Sequence, residues 1–173
     1  PDMHDSVTIS EVAPRDGLQS VGPFLATEAK IALVTALHDA GLRRAEIGSF
    51  VSPKAIPQMA DTPAVLAAAK QLPDLECTVL VPNRRGFEAA LEHRPHRIGL
   101  FCCFHCPFEG VVPEATTLDW VGRAAALDPG IEIAICDTTG NAAPDQVGRV
   151  FRHAMASWGD RFAYHGHDTY GMG

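Results

Sequence analysis

A chain of 173 residues, 46% of them hydrophobic, is long enough to bury one core. Its net charge of −7 argues against a nucleic-acid partner, which requires a basic face, and no apolar run approaches the roughly 20 residues of a membrane span. Pro1-Asp2-Met3-His4-Asp5 shows no basic stretch running into an apolar one, so no secretory leader is expected and the cytoplasm is the expected location.

Strand-like and helix-like runs alternate along the chain. Val7 to Val12 is β-rich and leads into Pro14-Arg15-Asp16-Gly17, a turn by its Pro and Gly. Thr27 to Ala40 carries Ile31, Val34, Leu37 and Ala40 as a helical stripe ending at Gly41, with Thr27 as the candidate cap. Arg44 to Gly48 reads as a second strand. Thr62 to Leu72 reads as a helix, with Pro63 suited to its first turn. Cys77 to Val81 is a third strand, stopped by Pro82. Arg84 to Glu92 is a short helix and Arg97 to Phe101 a fourth strand. Leu118 to Leu127 reads as helix, Ile131 to Ile135 as strand, Asp145 to Ser157 as helix and Phe162 to Tyr164 as the last strand.

This β–α alternation implies a parallel sheet, open or closed into a barrel. The chemistry-bearing residues fall after the strands: Arg15 and Asp16, Glu46 and Ser49, Asn83, Asp137 and Thr138, His165 and His167. An open doubly wound sheet gathers its site at one switch point. Functional residues after nearly every strand favour a single TIM (β/α)8 barrel domain over residues 1–173, and no G-x-G-x-x-G follows the first strand. The barrel is expected to be incomplete, because a full one takes roughly 250 residues. Strand Arg97–Phe101 runs straight into Cys102-Cys103-Phe104-His105-Cys106-Pro107 with no room for a crossover. Segments are therefore expected to be absent near Phe101/Cys102 and beyond Gly171-Met172-Gly173, where a helix should begin.

His165 and His167 are two apart, which puts both rings on one face of a strand. With Asp16 at another strand end they form a nitrogen–oxygen donor set for Mg²⁺, Mn²⁺, Co²⁺ or Zn²⁺, with substrate or water filling the shell. A neighbouring Arg15 is placed to stabilise an oxyanion, although an Arg–Asp neighbour pair is more commonly a surface ion pair. Glu46 and Asp137 could hold a ligand in place, act as acid and base, or be solvated loop carboxylates. Cys77, Cys102, Cys103, Cys106 and Cys136 are odd in number and do not read as a disulfide framework. Around Cys102, Cys103, His105 and Cys106, a zinc site is disfavoured because no second half-site has matching spacing. Pro107 and Gly110 read instead as a strand-end turn.

Seven stretches together resemble the 3-hydroxy-3-methylglutaryl-CoA lyases of the DRE-TIM metallolyase superfamily. They are Pro14 to Gln19, Gly48 to Lys54, Pro57-Gln58-Met59, Pro82 to Glu88, Cys106 to Gly110, Asp137 to Gly140 and His167 to Gly171. Related condensing enzymes typically carry Glu at the place of Leu18 and Asn-Asp at Asp168-Thr169, which favours the lyase branch. The resemblance implies that Asp16, His165 and His167 hold a divalent metal, Mg²⁺ or Mn²⁺ foremost. It implies that Arg15 stabilises an enolate, and that Gln19, Glu46, Ser49, Asn83, Asp137 and Thr138 line the pocket or support the ligands. It further implies cleavage of an acyl-CoA to acetyl-CoA and acetoacetate, as in leucine degradation and ketone-body metabolism, with a homodimer as one open assembly. The family's fourth metal ligand, an Asn, and its mobile catalytic Cys have no counterpart here, so a chain ending at Gly173 is expected to lack turnover. Gly166, where the family often has Cys, is expected to matter little. The alternatives are a lyase or condensing enzyme for another 3-hydroxyacyl-CoA, and a truncated, inactive metal-binding relative.

Overall fold

Five strands, β1 (Arg44–Ser49), β2 (Glu76–Val81), β3 (Arg97–Leu100), β6 (Glu132–Asp137) and β7 (Phe162–Gly166), form one all-parallel sheet in the order β1-β2-β3-β6-β7. The computed structural model describes residues 7–127 and 129–171; the readings of Pro1–Asp5 and of the last two residues lie outside them. Between β3 and β6 a two-stranded antiparallel hairpin, β4 (His105–Cys106) and β5 (Gly110–Val111), projects from the sheet edge. Helices α1 (Thr27–Asp39), α2 (Thr62–Ala69), α3 (Arg84–Glu92), α4 (Glu114–Leu127) and α5 (Pro144–Trp158) cover one face, with α1 packed on α2, α3 on α4 and α4 on α5. This is the wall of a (β/α)8 barrel, partial in this chain.

Alternation along each strand divides the two faces. Ala45 and Ile47, Cys77, Val79 and Val81, Ile98 and Leu100, and Ile133 and Ile135 are buried against the helices. Each Val, Leu or Ile side chain so removed from water stabilises the fold by about 1.5–3 kcal/mol. The positions between them, Thr78 and Leu80, Arg97 and Gly99, Ala134 and Cys136, Ala163 and His165, face the concave side. Glu46 pairs with Thr78 and Gly48 with Val79, so Ile47 is an extra residue on β1. Such a bulge re-aims the side chains around it.

The observed elements differ from the sequence expectations at definable places. Val7–Val12 is not a strand: only Glu11 bridges Ala45, and Val7 and Ile9 stay exposed. Edge pairing alone does not hold the segment once Ala13–Gly17 winds into a single π-helical turn. Thr27 does not cap α1. Ala26 is the cap residue, without a side-chain bond, and Thr27 Oγ1 donates instead to Asp61 Oδ2 at 2.8 Å. The expected break after Phe101 is not a break in the sheet. Hairpin and α4 supply the crossover, and β6 pairs directly with β3 from Arg97–Glu132 to Leu100–Ile135. Helix α1 does end before Gly41, whose φ of 100° suits only glycine readily.

Candidate active site at the strand ends

A cavity of about 510 Å³ opens on the concave face. Arg15, Asp16, Glu46, Thr138, His165 and His167 all line it. The π-helical turn explains how two adjacent residues reach one site: Arg15 is buried in it, whereas Asp16 is exposed at its surface. Arg15 Nε and Nη2 donate to Glu46 Oε2 at 2.8 and 2.6 Å, and Nη1 donates to Asp16 Oδ1 at 2.7 Å. The guanidinium also lies 6.0 Å from the centre of the Phe101 ring. Three charge-assisted bonds and an aromatic neighbour fix its plane.

His165 and His167 share one face, with ring centres 5.1 Å apart and nearly perpendicular. His167 Nδ1 donates to the Asp137 carbonyl oxygen at 3.0 Å, which leaves Nε2 as the lone-pair nitrogen. Desolvation first, then the neighbouring His167, lowers the His165 pKa, which keeps that imidazole neutral and able to donate to a cation. Among the described residues no three His, Cys, Asp or Glu side chains converge on one ion position. The two imidazoles are of the donor type that suits a divalent metal. The Asp16 carboxylate, of the right type and on the same cavity, is turned toward Arg15.

Other expected residues stand elsewhere. The Asp137 carboxylate is 1% exposed and accepts from the backbone N–H groups of Asn141 (3.2 Å) and Ala142 (2.9 Å), so it anchors the turn into α5 rather than facing the cavity. The structure thus does not bring this carboxylate, expected as an acid or base, into the cavity. Ser49 and Asn83 line a second cavity of about 520 Å³ with Phe50, Lys54, Met59 and Arg85. There Ser49 Oγ donates to Leu80 O at 3.2 Å and Asn83 Oδ1 caps α3 through Gly86 N–H at 2.9 Å. Gln19 sits half-buried just after the π turn, outside the residues lining the first cavity. Thr138 Oγ1 accepts from Cys102 N–H at 2.9 Å at the rim. At Gly166 a Cβ would lie 2.7 Å from Tyr164 Cζ, so the Tyr164 ring occupies the space a larger residue needs.

Sequence reasoning missed Arg97, which lines the cavity floor, is ion-paired to Glu132 and reaches Thr78 Oγ1 at 3.5 Å. A charged residue at an inward position of a strand was the available signal. It also missed Lys30, 3% exposed on α1, whose ammonium donates to Asp61 Oδ1 at 2.6 Å and lies 4.3 Å from the centre of the Phe24 ring.

A parallel barrel wall with two imidazoles, a carboxylate and a fixed guanidinium around one cavity at the strand ends defines an α/β-barrel enzyme. The HMGL-like family model matches residues 6–104, and the chain belongs to that family, a family of carbon–carbon lyases. It is 32% identical, over 210 aligned positions covering 96% of this chain and 69% of the relative, to the 3-hydroxy-3-isohexenylglutaryl-CoA/hydroxy-methylglutaryl-CoA lyase of Pseudomonas aeruginosa. It is 30% identical to the mitochondrial hydroxymethylglutaryl-CoA lyase of Macaca fascicularis, covering 96% of this chain and 64% of that one. A solved HMG-CoA lyase from Acinetobacter baumannii, in complex with coenzyme A and 3-methylmalate, superposes with a TM-score of 0.65 at 31% identity, over 96% of this chain and 68% of that one. The chain thus spans about two thirds of its relatives' length. An alignment of 210 positions against a chain of 173 also means that the relative carries inserted residues without counterpart here.

Proposed function

We propose that this chain carries the metal-binding half of a divalent-metal-dependent lyase that cleaves 3-hydroxy-3-methylglutaryl-CoA to acetyl-CoA and acetoacetate. The observation that supports it is the convergence of Arg15, Asp16, Glu46, His165 and His167 on one cavity from three separate parts of the chain. Asp16, His165 and His167 are the residues that would hold the cation, Mg²⁺ or Mn²⁺ by the oxygen content of the shell, with Co²⁺ or Zn²⁺ also compatible with the imidazoles. When bound, the cation polarises substrate oxygens as a Lewis acid.

The protein's own groups divide the remaining work. Arg15 bonds only Oε2 of Glu46, which leaves Oε1 as the carboxylate oxygen to accept the proton of the 3-hydroxyl. As that proton leaves, the bond between C2 and C3 breaks and its electron pair moves to the thioester oxygen. The Arg15 guanidinium, already oriented by Glu46, stabilises the charge developing there without reorganising. The second cavity, with Lys54 and Arg85 beside apolar walls, suits the phosphates and pantetheine arm of the coenzyme A portion. Ala134 and Ala163 on the first cavity's wall favour, as a second reading, a 3-hydroxyacyl-CoA with a longer substituent at C3.

The test is acetoacetate release from 3-hydroxy-3-methylglutaryl-CoA by the full-length protein, after chelation and again with added Mg²⁺ or Mn²⁺, beside a direct Mn²⁺-binding titration. Metal-restored release that His167→Ala abolishes, together with its Mn²⁺ binding, is the expected result. Undiminished Mn²⁺ binding by His167→Ala refutes the ligand assignment. Metal binding without release moves the substrate to the longer 3-hydroxyacyl-CoA.

A further inference from the structure

Five cysteines punctuate the chain, and the proposed chemistry uses none of them. Cys77, Cys103 and Cys136 are buried in or beside the core, and Cys103 Sγ donates to the Leu100 carbonyl oxygen at 3.1 Å. Cys102 and Cys106 are different. Both are half-buried, and they interact directly, thiol to thiol. Cys102 holds a left-handed backbone, with φ of 55°, uncommon for a residue with a Cβ. Its N–H is fixed on Thr138 Oγ1 at the rim of the cavity. Cys106 is held from the other side by the hairpin, opposite Gly110. The local backbone thus turns the chain back so that two sulfurs four residues apart meet beside the site.

We propose that Cys102 and Cys106 are a dithiol modification site, closing reversibly to an intrachain disulfide with a small-molecule disulfide as oxidant. One cysteine sulfur, as thiolate, attacks the disulfide R–S–S–R, forms a mixed disulfide and expels one RS⁻. The second cysteine thiolate then attacks the protein sulfur of that mixed disulfide and expels the other RS⁻. The two cysteine protons end on two R–SH, so the protein gives up two electrons and two protons and the oxidant takes them. Burial, and then Cys106, pushes the Cys102 thiol up to about 11, so closure is slow at neutral pH and accelerates as pH rises. Because Cys102 N–H also holds Thr138, the state of the pair is communicated to the cavity rim.

The experiment uses the unmodified protein and oxidised glutathione at about pH 8.5, the pKa of an ordinary thiol. Intact mass is recorded on the monomer band of a non-reducing gel. Free thiols are then blocked with iodoacetamide under denaturing conditions, disulfides reduced, and the released thiols labelled with N-ethylmaleimide. The expected result is a mass about 2 Da lower, maleimide on Cys102 and Cys106, and carbamidomethyl on Cys77, Cys103 and Cys136. Cys106→Ser should abolish the 2 Da loss. Carbamidomethyl on all five cysteines, maleimide on Cys103, or retention of glutathione adducts without ring closure would each overturn the assignment.

Discussion

Replacing Glu46 by Ala removes the one oxygen that accepts from both Nε and Nη2 of Arg15. The two side chains are 9% and 12% exposed, so the guanidinium cannot recover those bonds from bulk water. Truncating one member of a buried pair costs about 3–5 kcal/mol. The Asp16 bond to Nη1 and the Phe101 ring survive, which places the expected loss near the lower end, about 3 kcal/mol. With a urea dependence of about 1–3 kcal/mol per molar, the unfolding midpoint should fall by about 1 M or more. Glu114→Ala is the control. It removes a carboxylate from Arg149, a residue that lies in solvent and keeps Asp145 as a partner, and the midpoint should not move measurably. Glu46→Gln, which keeps an acceptor and loses the charge, should fall between the two. Equal midpoints for Glu46→Ala and Glu114→Ala would refute the view that Glu46 holds Arg15 in a desolvated clamp.

Further outcomes follow from single contacts. The His165 pKa lies below its unfolded value of about 6.5, by desolvation and then by His167, so the unfolded chain binds the extra proton first. The metal-free protein should therefore lose stability as pH falls from about 6.5 toward the folded pKa, and none of that effect should remain in His165→Gln; thermal melts across pH 5–8 read it. Gly166→Ala drives a Cβ into Tyr164, and Tyr164→Ala should relieve the damage, with a coupling of about 0.5–3 kcal/mol in a double-mutant cycle; strict additivity contradicts the contact. Gly86→Ala points a Cβ at the Phe50 carbonyl oxygen, backbone that cannot step aside, whereas Gly22→Ala meets open space. The first should destabilise by about 1–3 kcal/mol in a denaturant titration and the second should not. Asp137→Asn should leave Mn²⁺ affinity within about twofold while lowering the melting temperature, since its carboxylate serves Asn141 and Ala142 N–H rather than the cavity; a large loss of affinity would return Asp137 to the site.

Periodicity and local chemistry are short-range properties, and whatever depends on them was legible along the chain. Helix α3 was read over Arg84–Glu92, its observed span, and Asn83 accepts from the Gly86 N–H just where the helix starts. The β–α order, and with it the parallel wall, follows from apolar runs that alternate with helical stripes, and the pairing of His165 with His167 follows from a two-residue repeat on one strand. Long-range partners are not written in such patterns. Val7–Val12 has the composition of a strand, yet hydrogen bonds to a neighbour make a strand, and only Glu11 finds one. Lys30 reads as an outward-facing helix residue until Asp61 and Phe24, more than thirty residues on and six residues back, enclose it. Glu46 and Asp137 are both acidic residues toward strand ends. Only the tertiary fold separates them, turning one toward Arg15 in the cavity and the other toward two backbone amides behind it. The sequence by itself determined the alternation of strands and helices and which residue types were on hand for the chemistry. The tertiary structure decided which of them meet, because a buried charge takes its role from the partner that satisfies it.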